Sequence, residues 1–171
     1  MTTSLDVATW LVSRHGMQTM LTNLSLNKLC FFAQVEALRM DGRPLFADRI
    51  EAWRYGPVCP PVYHAYKRFG RNTITYAMTT PTTPNERETR VLDALWEHYG
   101  CLSAYDLVRL SHRRDGAWSK AWAQGEDTVI SDDLILHSTD MSGFNPDGTF
   151  AASVKRVENH YRNTLRLLEN S

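Results

Sequence analysis

Apolar residues recur along the first 76 positions mostly at the three-and-four spacing of an amphipathic helix, interrupted by one short alternating stretch. Val7, Ala8, Leu11 and Val12 follow Ser4 as N-cap and predict a short helix that closes at Gly16 in a left-handed conformation. Thr22 caps a second helix. Leu26, Leu29, Cys30, Ala33, Ala37 and Met40 fall on one of its faces, and Phe31, Phe32 and Leu38 widen the stripe. A stripe that wide predicts a central helix contacted on more than one side, ending near Asp41-Gly42. Ile50 to Tyr55 alternates and predicts a short strand, which Gly56-Pro57 ends because proline fixes φ and lacks the ladder donor. Pro60-Pro61 opens a helix carrying Val62, Tyr63, Tyr66 and Phe69 inward, with Gly70 closing it. Ile74 to Tyr76 reads as a second strand pairing with the first.

Thr83-Pro84-Asn85-Glu86 has capping-box spacing with proline at the first helical position. Val91, Leu92, Leu95, Trp96 and Tyr99 continue that helix to Gly100. Ser103 caps a helix with Leu107, Val108 and Leu110, and Asp115 a shorter one with Trp118 and Trp122. Residues 126–133 are acidic around Thr128-Val129-Ile130. The turn-rich stretch 138–149 reads as a linker, followed by a C-terminal helix over 150–171 with Val154, Val157, Tyr161, Leu165 and Leu168 as its apolar stripe. The fold class is α+β, predominantly α-helical: a compact domain around a central apolar helix, with a minor strand pair.

Composition narrows the possible functions. A chain of 171 residues suits one domain, or one domain with an appendage, and 43% hydrophobic with 22% charged residues is ordinary for a globular protein. Nineteen basic residues balance nineteen acidic ones, so no global field draws in phosphate backbones or acidic membranes. Cys30, Cys59 and Cys101 are widely spaced and odd in number, and the N-terminal residues lack the pattern of a secretory leader. No apolar run approaches the ~20 residues of a membrane span. These features predict a cytoplasmic protein with reduced thiols.

Candidate chemistry is sparse. Cys59, five residues before His64, could supply a thiolate nucleophile, but its Pro-Val-Cys-Pro-Pro setting favours a packed structural cysteine. His98 and Cys101, with Cys59 and His64, could in principle complete four zinc ligands, yet no second compact pair supports a site. Glu126-Asp127 and Asp132-Asp133 do not form a calcium loop. Phosphate-loop, dinucleotide and nucleophile-elbow motifs are absent from the sequence. The reading is of a non-enzyme without cofactor or metal. Arg109, Arg113 and Arg114 beside His112, and Lys67, Arg68 and Arg71 beside Tyr66 and Phe69, are the basic clusters. Each holds three cations in a neutral protein, which disfavours nucleic acid as a direct partner and keeps a DNA-binding regulator using Arg109, Arg113 and Arg114 as the alternative.

The Trp53-Arg54-Tyr55-Gly56-Pro57 segment differs in kind. Tryptophan, tyrosine and arginine dominate interface hot spots, and a Gly-Pro turn would hold them rigidly. Trp53 is expected in the core. Arg54, Tyr55 and the Gly56-Pro57 turn are expected at the surface, with Tyr63 and His64 following. The stripe Val157, Tyr161, Leu165 reads either as a last core helix or as a docking helix for another protein.

Leu26-Asn27-Lys28-Leu29-Cys30-Phe31-Phe32-Ala33-Gln34, then Gly42-Arg43-Pro44-Leu45-Phe46, then Ile50 to Val58 with Tyr63-His64, resembles the Panacea domain, also called the SocA-like antitoxin domain of bacteria and phages. Leu110-Ser111-His112 with Trp118 resembles its second signature, although Ala117 stands where the family commonly has proline. The resemblance covers roughly residues 5–137 and sets the domain at 1–137, with Lys28, Leu29, Gln34, His112 and Trp118 as signature positions. It implies an antitoxin that neutralises a cognate toxin by direct binding, the toxin coming from a neighbouring gene, and that can also act as an adaptor to a cytoplasmic protease. It implies no catalytic residues.

Overall fold

The computed structural model describes residues 2–143. Val157, Tyr161 and Leu165 of the expected C-terminal helix lie outside the described residues. The chain runs α1 (Ser4–His15), α2 (Asn23–Asp41), β1 (Glu51–Trp53), β2 (Gly56–Val58), α3 (Pro60–Tyr66) and a 3-10 turn (Lys67–Phe69). It continues as α4 (Glu86–Tyr99), α5 (Ala104–Ser111), α6 (Ala117–Trp122), β3 (Thr128–Val129), α7 (Asp132–Leu136) and a second 3-10 turn (Thr139–Ser142). A predominantly helical α+β domain is therefore what the sequence folds into.

The central helix is α2, which packs against α1, α3, α4, α5, α7 and β2. Residues 25–38 are all buried, and the apolar ones, from Leu26 through Leu38, form the middle of the core. Thr22 caps the helix as expected, accepting from the Ser25 N–H while the Ser25 side chain accepts from the Thr22 N–H at 2.8 Å. Gly42 ends it with φ 72°, a conformation open to residues without a Cβ.

Buried polar side chains on α2 attach separate segments to it. The Gln34 amide oxygen accepts from the Leu45 and Phe46 N–H groups, and its nitrogen donates to Phe46 O and to Asp132 at 2.7 Å. Asn27 accepts from the Cys59 N–H at 3.0 Å, and Glu36 pairs with Arg39 and His98. Gln34, Asn27 and Glu36 thus each have a partner, which removes the cost of desolvating them alone. At the far end, the Arg87 guanidinium forms a bidentate pair with Asp41, tying the first turn of α4 to the last of α2.

Several local expectations are corrected. Thr3, not Ser4, caps α1, because the Ser4 N–H and hydroxyl both donate to Asp48. Gly16 is right-handed at φ −58° and accordingly makes no left-handed cap. Asn85 caps α4 in place of Thr83, through a reciprocal box with Glu88. Gly116 caps α6, since Asp115 has φ 59° and a cap residue must be extended.

The strand pair is a three-stranded antiparallel sheet in the order β2-β1-β3. Gly56-Pro57 does not end the strand region; it belongs to β2, and Pro57 is tolerated because β2 is an edge strand. Ile74 to Tyr76 is not a strand. The Ile74 side chain is buried and its N–H donates to Leu21 O, while β1 takes Thr128–Val129 as its second partner. The first residues of the expected linker, 138–143, are held against the domain by Asp140, whose buried carboxylate accepts from the Ala117 N–H at 2.7 Å.

Candidate functional site: a hairpin-walled cavity

β1 and β2 form a tight hairpin with Trp53 opposite Gly56 and only Arg54-Tyr55 between them. Gly56 has φ 103°, which a side chain would strain. A Cβ there would also lie 2.6 Å from Lys28 Cε and 2.9 Å from Ser111 Oγ, so the glycine lets the hairpin lie directly on the end of the Lys28 side chain.

Lys28 is fully buried, and its ammonium donates to Pro57 O at 3.0 Å. Burial pushes its pKa down to about 7, partly opposed by the neighbouring Cys59 side chain. From the other side, Trp118 Nε1–H donates to Trp53 O at 2.9 Å, and the Trp118 ring stacks on His112 with centroids 3.7 Å apart. Burial and the charge of Lys28 hold the His112 pKa below the usual histidine value. The signature residues Lys28, His112 and Trp118 therefore brace the hairpin from beneath.

In front of the hairpin is a cavity of about 540 Å³. It is lined by Asn23, Leu24, Asn27 and Lys28 of α2, by Trp53, Arg54, Tyr55 and Val58 of the hairpin, by Tyr63 of α3, by Gly70, and by Glu126 and Asp127 before β3. The Trp53 and Tyr63 rings meet edge to face at 65° with centroids 4.8 Å apart. Glu51 accepts from Trp53 Nε1–H at 2.9 Å and fixes the indole plane. Tyr55 is 64% exposed, with the Arg54 guanidinium over its ring at 5.6 Å.

The structure thus brings Trp53, Arg54, Tyr55 and Tyr63 together, with three corrections. Trp53 is half-buried at the cavity and not in the core, because Ala52 is the β1 residue that points inward. Gly56 and Pro57 are buried and not at the surface, since they cover Lys28. His64 is exposed beside Tyr63 and does not line the cavity.

Cys59 is buried next to Cys30 and is the N-cap residue of α3, whereas His64 is exposed. Among the described residues no group of three or more His, Cys, Asp or Glu side chains is placed to hold a metal ion. The arginine cluster is divided: Arg113 donates to Leu110 O and Thr139 O and faces Asp140, whereas Arg114 is exposed. Among the described residues no helix is long and apolar enough to cross a membrane. Sequence reasoning missed Asn23, Leu24, Glu126 and Asp127 as cavity residues. The acidic run around Glu126 was visible, but its position was not.

Fold and site together define a helical α+β domain in which Lys28, His112 and Trp118 support an aromatic hairpin at the mouth of a cavity. The sequence model of the family described as Antitoxin SocA-like, Panacea domain, matches residues 26–119, more than half of the chain, and the chain belongs to this family. It is similar to Antitoxin SocA of Caulobacter vibrioides (strain NA1000 / CB15N), with 29% identity over 109 residues, covering 57% of this chain and 58% of that protein. The match therefore spans less than two thirds of this curated relative's length. No solved structure matches the chain.

Proposed function

We propose that this protein is an antitoxin that neutralises a cognate protein toxin by direct binding in the cytoplasm, with the hairpin and its cavity as part of the contact surface. Membership of the SocA-like family is the observation that carries this reading. The site supports it: Trp53, Arg54, Tyr55 and Tyr63 are the residue types that dominate interface hot spots, gathered on one rigid support. A preorganised aromatic surface loses little side-chain freedom on binding. The apolar stripe Val157, Tyr161 and Leu165 is proposed as a second contact.

Co-expression with the product of the neighbouring gene tests the proposal. Growth is expected to be rescued by the intact protein and impaired by Arg54→Ala with Tyr55→Ala, at unchanged thermal stability. Failure to rescue growth from a toxic neighbouring product would overturn it. Toxin half-life in the same cells separates sequestration, which leaves it unchanged, from delivery to a protease, which shortens it. Deletion of residues 150–171 with full rescue retained removes the second contact.

A further inference from the structure

The cavity combines aromatic walls with an acidic edge. Trp53 and Tyr63 present two rings at 65°, and Glu51 holds the indole in place. Glu126 and Asp127 are exposed at the lining and enter no salt bridge among the described residues. Asp127 has φ 61°, and its N–H donates to Ala52 O, so its backbone is fixed against β1 beside Trp53. Two cations also line the space. The Lys28 ammonium, however, is sealed against Pro57 O, and Arg54 has its guanidinium over the Tyr55 ring. The resident Arg54 shows that an aromatic face of this hairpin accepts a guanidinium.

We propose that this cavity receives an arginine side chain of a partner protein, with its guanidinium against the Trp53 and Tyr63 rings and paired with Glu126 or Asp127. A guanidinium is planar and stacks on aromatic faces, and its fork of donors matches a carboxylate. The cavity volume of about 540 Å³ exceeds what one guanidinium fills, leaving room for the side chain's aliphatic stem and an adjoining residue. Leu24, 41% exposed, and Tyr55 extend apolar surface beyond the mouth, which suits a chain passing across it and not a free small cation. The partner is a protein under the antitoxin reading, and this proposal rests on that reading for the partner's identity alone.

The test is a titration of the full 15N-labelled chain with N-acetyl-arginine methylamide and with its neutral isostere, N-acetyl-citrulline methylamide. The arginine compound is expected to shift the Trp53 indole N–H resonance saturably, and the citrulline compound to bind at least about tenfold more weakly. Glu126→Gln with Asp127→Asn should weaken arginine binding by about fivefold or more. Both positions are exposed, and asparagine tolerates the positive φ of residue 127, so this variant keeps the fold. Equal binding of the two compounds, absence of a saturable shift, or unchanged affinity in the double variant would overturn the proposal. Tetramethylammonium binding as tightly as the arginine compound would overturn the peptide occupant. Because the titration contains no toxin, its failure leaves the antitoxin reading to be judged by growth rescue alone.

Discussion

The Lys28 ammonium lies 3.0 Å from Pro57 O, with Gly56 directly above its Cε, so a fully buried cation on the central helix supports the edge strand of the hairpin. The hairpin that carries Trp53 and Tyr55 depends on this contact from α2 and on the Trp118 hydrogen bond from α6.

Burial of Lys28 links stability to pH. Its pKa is about 7 in the folded protein against an ordinary lysine value of 10.5, so the unfolded state binds more protons between those values. Stability should therefore rise as pH increases from about 7 toward 10, by on the order of 4 kcal/mol from this group. Lys28→Met should abolish that rise, and at pH 7 it should cost about 1–3 kcal/mol because the buried Pro57 O loses the donor that Lys28 supplies. Urea denaturation of both proteins at pH 7 and pH 9.5 checks this; equal pH slopes would refute it.

Gly56→Ala should be severe. The substitution meets a strained φ of 103° and places Cβ 2.6 Å from Lys28 Cε. Strain and overpacking together predict a loss of about 2–4 kcal/mol. Thermal denaturation reads the loss, and a variant within about 0.5 kcal/mol of the parent would contradict the described contact.

Trp118→Phe keeps the aromatic stack on His112 but removes the N–H that Trp53 O accepts at 2.9 Å. A loss of about 1–2 kcal/mol is expected. Amide hydrogen exchange should accelerate in β1 and β2 more than in α4, which does not share this contact. Uniform acceleration would assign Trp118 a general packing role instead.

Ala117→Pro tests why this chain departs from the resembled pattern. Position 117 opens α6, where proline is ordinarily tolerated. Here, however, the Ala117 N–H donates to the buried Asp140 carboxylate, whose pKa burial has raised. Proline removes that donor and should cost about 1–3 kcal/mol. Asp140→Asn should make the proline less damaging, since a neutral side chain is cheaper to leave with fewer partners. Additive effects in a double-mutant cycle would show that the two positions do not communicate.

The local features were largely legible in the sequence. The wide stripe on α2 marked it as central, Thr22 and Ser103 cap the helices they were expected to cap, and Pro60-Pro61 opens α3. Asp115 fails as a cap because its own backbone is left-handed at φ 59°, and the errors at Ser4 and Thr83 share one cause. Several residues near each helix start could cap it, and the choice fell to a distant partner such as Asp48 or to a neighbouring reciprocal box. The candidate site was half legible: the aromatic segment was evident, but Gly56-Pro57 was read as exposed because nothing local reveals that Lys28 lies beneath it.

By itself the sequence determined the helical periodicity, the ordered motifs and the family, because spacing and capping act over a few residues. Only the tertiary structure decided that β1 pairs with residues 128–129 and not with 74–76, and that Glu126 and Asp127 stand beside Trp53. Those juxtapositions join segments more than 70 residues apart. They are selected by how the whole core packs around α2, where the buried Lys28, Gln34 and Glu36 each find a partner that no local pattern specifies.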